Sequence, residues 1–306
     1  MRGFETSDTE LPYPALMIKE KANNVKSFYL HLNIIDFFTK TNYIYLRDTI
    51  KEIFNMDMNE FQHKPAVEIV GRTASDVDQG LRSYMIRVFN YMGLGLLLTA
   101  AVAWFIAGNE SILSSLYNVN MQERTISLSG LGWVVALAPL AMIFAFNYVI
   151  QNKSLGAVQA MFWAFSAVMG ASLADLFFLY TTQSLTRVLL ITAATFGSMS
   201  LYGYTTKRDL TKLGSFLFMG LIGLIIASIV NIFMQSSAVY WALSYIGVAI
   251  FVGLTAFDVQ KIKESYYAVR NSEEFAAKMA VSGALSLYLD FINLFLYLLR
   301  IMGDRR

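Results

Sequence analysis

The stretch ALSLYLDFINLFLYLLR, residues 284–300, decides how the rest of the chain is read. It is almost wholly apolar, yet it carries a single carboxylate, Asp290. Ser286, Asp290, Asn293, Tyr297 and Arg300 recur at intervals of three and four, so a helix gathers them into one polar stripe with leucine and phenylalanine around the remainder. Such a helix cannot face lipid on every side. An ionised acid near a bilayer centre costs at least about 3 kcal/mol, so these residues face a bundle interior, a water-filled cavity or a partner. The expectation is a helix in the middle of a membrane bundle.

Composition agrees. Of 306 residues, 56% are hydrophobic and 15% charged, and the mean hydropathy is +0.48, too apolar for an ordinary soluble domain and long enough for several spans. The fold class is therefore an all-α integral membrane protein, a seven-transmembrane-helix bundle. The net charge of +2 and the absence of a long basic run exclude a nucleic-acid partner. Without cysteine there are no disulfides, thiolate metal sites or cysteine nucleophiles, and the histidines, His31 and His63, both precede the first apolar span. A Ser-His protease, an H-E-x-x-H zinc site and histidine-ligated haem are thereby excluded from the membrane region. No nucleophile–base pair or phosphate loop points to an enzyme, and no cofactor is expected. Proton chemistry inside the bilayer falls to carboxylates.

Residues 1–80 read as a separate N-terminal extension of mixed charge, loosely ordered or with short amphipathic helices in 27–54, and without the order of features of a signal peptide. Met56 and Met58 leave open that the first 55 residues reflect an over-long start assignment. Residues 81–306 form the membrane domain, with spans at about 84–107, 131–150, 156–180, 185–204, 213–234, 238–257 and 281–301. Small residues such as Gly93, Gly95, Gly170, Gly197, Gly220 and Gly223 mark faces where helix backbones approach. Pro139 reads as a kink, and Asn147 and Asn231 as sources of interhelical hydrogen bonds. The connections after spans two, four and six carry Lys153, then Lys207, Arg208 and Lys212, then Lys261, Lys263, Arg270 and Lys278, whereas those after spans one, three and five carry Arg124. This bias puts the N-terminus in the cytoplasm of a multi-pass protein of the cell (inner) membrane. Arg300, Arg305 and Arg306 oppose an outside C-terminus, so the last segment either crosses or re-enters.

Asp258, in TAFDVQKIK, is the natural partner for Asp290. Two carboxylates in a low-dielectric site cannot both ionise comfortably, so such a pair titrates as a unit and is a candidate pH sensor. The same oxygens suit weak, incomplete coordination of Ca2+, a permeant ion rather than a resident cofactor. Blander roles are interfacial neutralisation of Asp258 by Lys261 and Lys263, and a structural hydrogen bond for Asp290. Asp175 reads as an acid snorkelling to the outer surface.

The segments ALSLYLDFINLFLYLLRIMG, TAFDVQKIK and SLYGYTTKRDL resemble the Bax inhibitor-1 family of membrane proteins, most of all its bacterial members, over about residues 78–303. The resemblance implies a seven-helix bundle in which six helices surround a central C-terminal one. It also implies a pH-dependent calcium leak, with Asp258 and Asp290 as the sensing pair, and, in an alternative role, modulation of a membrane-bound ATP-dependent protease. Some bacterial members carry a basic residue at the end of the second helix that latches onto the sixth-helix aspartate. Here FAFNYVIQNKSLG has Ile150 and Gln151 at that place, leaving Asn147, Gln151 or Lys153 as substitutes.

Overall fold

A computed structural model describes residues 74–120 and 125–304. The amphipathic segment expected in 27–54, both histidines, Arg124, Arg305 and Arg306 lie outside the described residues. In chain order the elements are α1 (Ala74–Ala107), α2 (Glu110–Leu116), β1 (Tyr117–Asn120), β2 (Thr125–Leu128), α3 (Gly130–Asn152), α4 (Leu155–Ser172), α5 (Leu176–Leu179), α6 (Thr182–Thr205), α7 (Thr211–Met234), α8 (Ser237–Val269) and α9 (Glu273–Met302). Seven helical segments are long and apolar enough to cross a membrane, the third being α4 with α5. The protein is an all-α multi-pass membrane bundle.

Local sequence sets the boundaries. Ser129, Thr181, Ser236 and Ser272 each cap a helix by accepting a hydrogen bond from the backbone N–H three residues on. The turn between α7 and α8 needs a left-handed residue, which is Gln235 at φ 52°. Between α1 and α3 the chain forms a feature that hydropathy did not reveal: α2, capped by Asn109, leads into an antiparallel hairpin with Tyr117 opposite Leu128. Ser129 ties the hairpin to α2, its N–H donating to Leu116 O at 2.9 Å and its Oγ to Ser115 O at 2.6 Å.

Burial is unequal among the spans. In α9, 94% of the most apolar window is buried, against 28% in α1, α3, α6 and α7. α9 packs on α8, α1, α6 and α4, while α3 leans mainly on α4 and α7 on α8. Trp104, Val134, Phe144, Phe216, Met219 and Ile226 face outward as the lipid-contacting surface that such a bundle needs.

Some small residues do what their pattern implied. A methyl added at Gly95 would stand 2.7 Å from the Phe162 ring, and one at Gly170 would stand 3.1 Å from Thr99 Cα, so α1 and α4 meet almost backbone to backbone. Gly93, Gly197 and Gly223, expected to do the same, meet nothing within 4 Å. α3 runs without interruption through Pro139. Neither asparagine bridges helices: Asn147 Oδ1 accepts from Gln151 Nε2 within α3, and Asn231 Oδ1 accepts from Ser236 N–H across the α7–α8 turn. The C-terminus bears on the question of re-entry. Asp304 O accepts from Thr181 N–H, and Arg187 Nη2 donates to Asp304 Oδ2 at 2.8 Å, so α9 ends beside the start of α6, having run the depth of the bundle.

Candidate functional site

The site is built at the seam of α8 and α9. Gly283 packs against Ile262, and Gly247 against the Tyr297 ring, which together fix the antiparallel register. In that register Ser286 stands level with Asp258 and Leu254 with Asp290, so the two aspartates are offset by one helical turn, about 6 Å along the axis. The offset is this small because α8 continues to Val269, well past the end expected near residue 257, and α9 begins at Glu273. Asp290 is 0% exposed and Asp258 7%.

All members of the polar stripe are buried: Ser286, Asp290, Asn293, Tyr297 and Arg300. Asn293 Nδ2 donates to Leu289 O at 2.9 Å, within its own helix. Tyr297 stacks on Phe251 of α8 at 5.7 Å between ring centres. The Arg300 guanidinium lies over the rings of Tyr240 and Tyr297, at 4.9 and 5.0 Å, which offsets part of the loss of hydration of a buried cation. The stripe therefore turns toward α8, with Asp290 on the same face as Tyr297, two turns away.

No hydrogen bond or ion pair reaches Asp258 from the described residues. Lys263 donates instead to Tyr204 O at 2.8 Å, and Lys261 lies over the Phe257 ring at 5.5 Å. Neither lysine forms an ion pair with Asp258. The substitutes considered for the latch do not reach it either: Gln151 and Lys153 are exposed, and Gln151 is bonded to Asn147. Among the described residues no three metal-ligating side chains converge.

Two supports escaped sequence reasoning. Gln260 holds the α6–α7 loop with both ends of its amide, Oε1 accepting from Leu210 N–H and Nε2 donating to Arg208 O, each at 2.8 Å. On the opposite face of α9, the Thr99 hydroxyl donates to Ser166 O at 2.8 Å and accepts from the Tyr288 hydroxyl at 2.7 Å. Tyr288 is enclosed by the edges of Phe162 and Phe165. Thr99 and Tyr288, isolated polar groups in apolar runs, carried the same signal as Asp290.

Asp175 corrects the expected snorkelling acid. The third span breaks at residues 173–175, where Asp175 precedes the short α5, and its Oδ1 is enclosed with no hydrogen-bond partner among the described residues. The α2–hairpin segment lies over this break, with Tyr117, Leu116 and Ile106 clustered around Ala174. Burial and the neighbouring Asp175 carboxylate push the Tyr117 phenol up, so it stays neutral across the physiological range.

Seven apolar helices and a buried acid seam define a multi-pass membrane protein with ionisable groups held inside the bundle. Residues 81–306 match the model of the family described as Inhibitor of apoptosis-promoting Bax1, and the chain belongs to that Bax inhibitor-1 family. It is 46% identical over 229 residues to Uncharacterized protein RP147 of Rickettsia prowazekii, covering 75% of this chain and 92% of that one. It is 45% identical over 228 residues to Inner membrane protein YbhL of Escherichia coli, covering 74% and 94%. A Caulobacter vibrioides protein is 40% identical over 250 residues, covering 81% of this chain and 100% of its own.

Proposed function

We propose that this protein is a pH-sensitive calcium leak pathway of a bacterial inner membrane, gated by Asp258 and Asp290. The observation that carries the reading is the offset of these two buried carboxylates by a single turn across the α8–α9 seam. Water or a partially hydrated cation between them would couple their protonation, and two carboxylates suit transient binding of calcium better than storage. The inner-membrane assignment follows the printed name of the E. coli relative. The lysine and arginine bias supports a cytoplasmic N-terminus. The test is calcium flux into liposomes holding only this protein, from about pH 5 to about pH 8, for wild type, Asp258→Asn, Asp290→Asn and the double variant. Both single variants should flatten or shift the profile and the double should resemble a single. Four superimposable profiles refute the paired gate.

A second reading rests on the segment ahead of residue 81, which lies outside the family match. An extension of this kind is a handle for a membrane-bound ATP-dependent protease, whose activity the protein would modulate. Loss of protease co-purification with unchanged flux, on deleting residues 1–55, separates this role from the leak.

A further inference from the structure

α1 and α6 flank α9 without packing closely on each other, and the slot between them has a volume of about 610 Å³. Its walls are apolar, with Met85, Phe89 and Met92 on α1 facing Phe196 and Gly197 on α6. Exposed Ile86 and Leu201 form its lipid-side rim. Polar groups occur at two depths. At the mouth stand Arg82, which is exposed, and Tyr204, whose ring and carbonyl hold the Lys263 ammonium. One turn deeper is Ser200. Thr186, Thr192, Thr195, Ser198 and Thr205 of the same helix each donate to the carbonyl one turn back. Ser200 Oγ, in a residue 6% exposed, has no hydrogen-bond partner among the described residues. A buried hydroxyl left this way is unfavourable unless something fills the slot and accepts its hydrogen bond.

We infer that the slot binds one anionic phospholipid. A cationic mouth above a buried donor above an apolar throat matches, in order, a phosphate, an acyl ester and a hydrocarbon chain. The mouth lies at the same end of the bundle as Lys207 and Arg208, the end that the basic bias assigns to the cytoplasmic leaflet, where anionic lipids attract such residues. A single-chain fatty acid would satisfy the mouth and the throat but leave Ser200 without an acceptor.

The test is native mass spectrometry of the full chain titrated with phosphatidylglycerol, phosphatidylcholine and oleate. Wild type should retain one phosphatidylglycerol in preference to the other two. Arg82→Gln should weaken phosphatidylglycerol about fivefold and phosphatidylcholine little, since one basic residue near the headgroup is removed. Ser200→Ala should weaken both phospholipids alike and leave oleate unchanged. Gly197→Leu, placed where an added side chain has open space, should abolish the preferred binding event. Equal binding of phosphatidylglycerol and phosphatidylcholine to wild type overturns the inference, as does oleate binding as tightly as phosphatidylglycerol. So does an undiminished preference in Arg82→Gln, an exposed change that does not threaten folding.

Discussion

Gly197 and Gly203 both lie within α6 but on different faces of it, and the same substitution at each separates packing from backbone propensity. At Gly197 an added methyl meets nothing within 4 Å. Gly197→Ala should therefore be neutral or stabilising by up to about 1 kcal/mol, the helix-propensity gain of alanine over glycine. At Gly203 the methyl would overlap the carbonyl oxygen of Ala256 and stand 2.9 Å from both the carbonyl carbon and Cα of that residue. The obstruction is backbone of α8, which has no rotamer to change, so α6 and α8 must separate. Overpacking of this kind costs about 1–3 kcal/mol, and the propensity gain offsets only part of it. Gly203→Ala should melt measurably lower than Gly197→Ala, with the two variants differing by about 2 kcal/mol. The separation also pulls Tyr204 from Lys263 and the 206–210 loop from Gln260, so proteolysis of that loop should quicken in Gly203→Ala alone. Thermal unfolding of the purified variants in one detergent, followed by size-exclusion chromatography, gives the comparison. Equal melting temperatures would refute the claim that close α6–α8 approach requires glycine at 203.

Gln260→Ala strands the Leu210 N–H and the Arg208 carbonyl, and should cost about 1–3 kcal/mol while raising hydrogen exchange at Leu210 and leaving α3 unchanged. Thr99→Val leaves the buried Tyr288 hydroxyl without its acceptor at a similar cost, and Tyr288→Phe in the same background should restore much of it, which a double-mutant cycle of melting free energies measures. The Thr211 hydroxyl and N–H hold the exposed Asp209 carboxyl below its ordinary range. A depressed carboxylate stabilises the folded state above the unfolded pKa of about 3.9 and loses that contribution as pH falls through the folded value. Asp209→Asn should therefore lie below wild type in melting temperature at neutral pH, with the gap closing in acid.

The apolar segments and the stripe of α9 were legible because both are properties of a single helix: length, hydropathy and a period near 3.6. Residues 286, 290, 293, 297 and 300 are all buried, as a stripe inside an apolar helix implies. What depends on two elements was less legible. Gly95 and Gly170 pack as their pattern implied, whereas Gly93 and Gly197 do not, because spacing along one helix does not say which neighbour stands opposite. Asn147 and Asn231 bond locally, since an acceptor or donor four or five residues away competes with any group on another helix. Asp175 was misread because hydropathy ran through 156–180 as one span, while the backbone breaks at 173–175 and the α2–hairpin segment covers the break. Short strands of mixed polarity such as YNVN and TISL give hydropathy no signal.

The relation between Asp258 and Asp290 shows how a distance in depth is set by glycine. Counted from the last basic residues of the α8–α9 connection, the two acids differ in depth, and a span ending near residue 257 would leave Asp258 at the rim. Gly283 and Gly247 instead admit Ile262 and Tyr297 to the surface of the opposite helix, so the seam stays closely packed on either side of the acids. The helices can slide by a turn only by driving a side chain into a position now open for lack of a Cβ. The one-turn offset is thereby locked by packing rather than by any bond between the carboxylates. The packing at Gly283 and Gly247 involves no charged group, so it does not depend on the protonation of either carboxylate. A gate needs that separation of duties: Asp258→Asn and Asp290→Asn should alter flux against pH while leaving the α8–α9 register, read as the distance between spin labels at the exposed Trp241 and Met302, where it is.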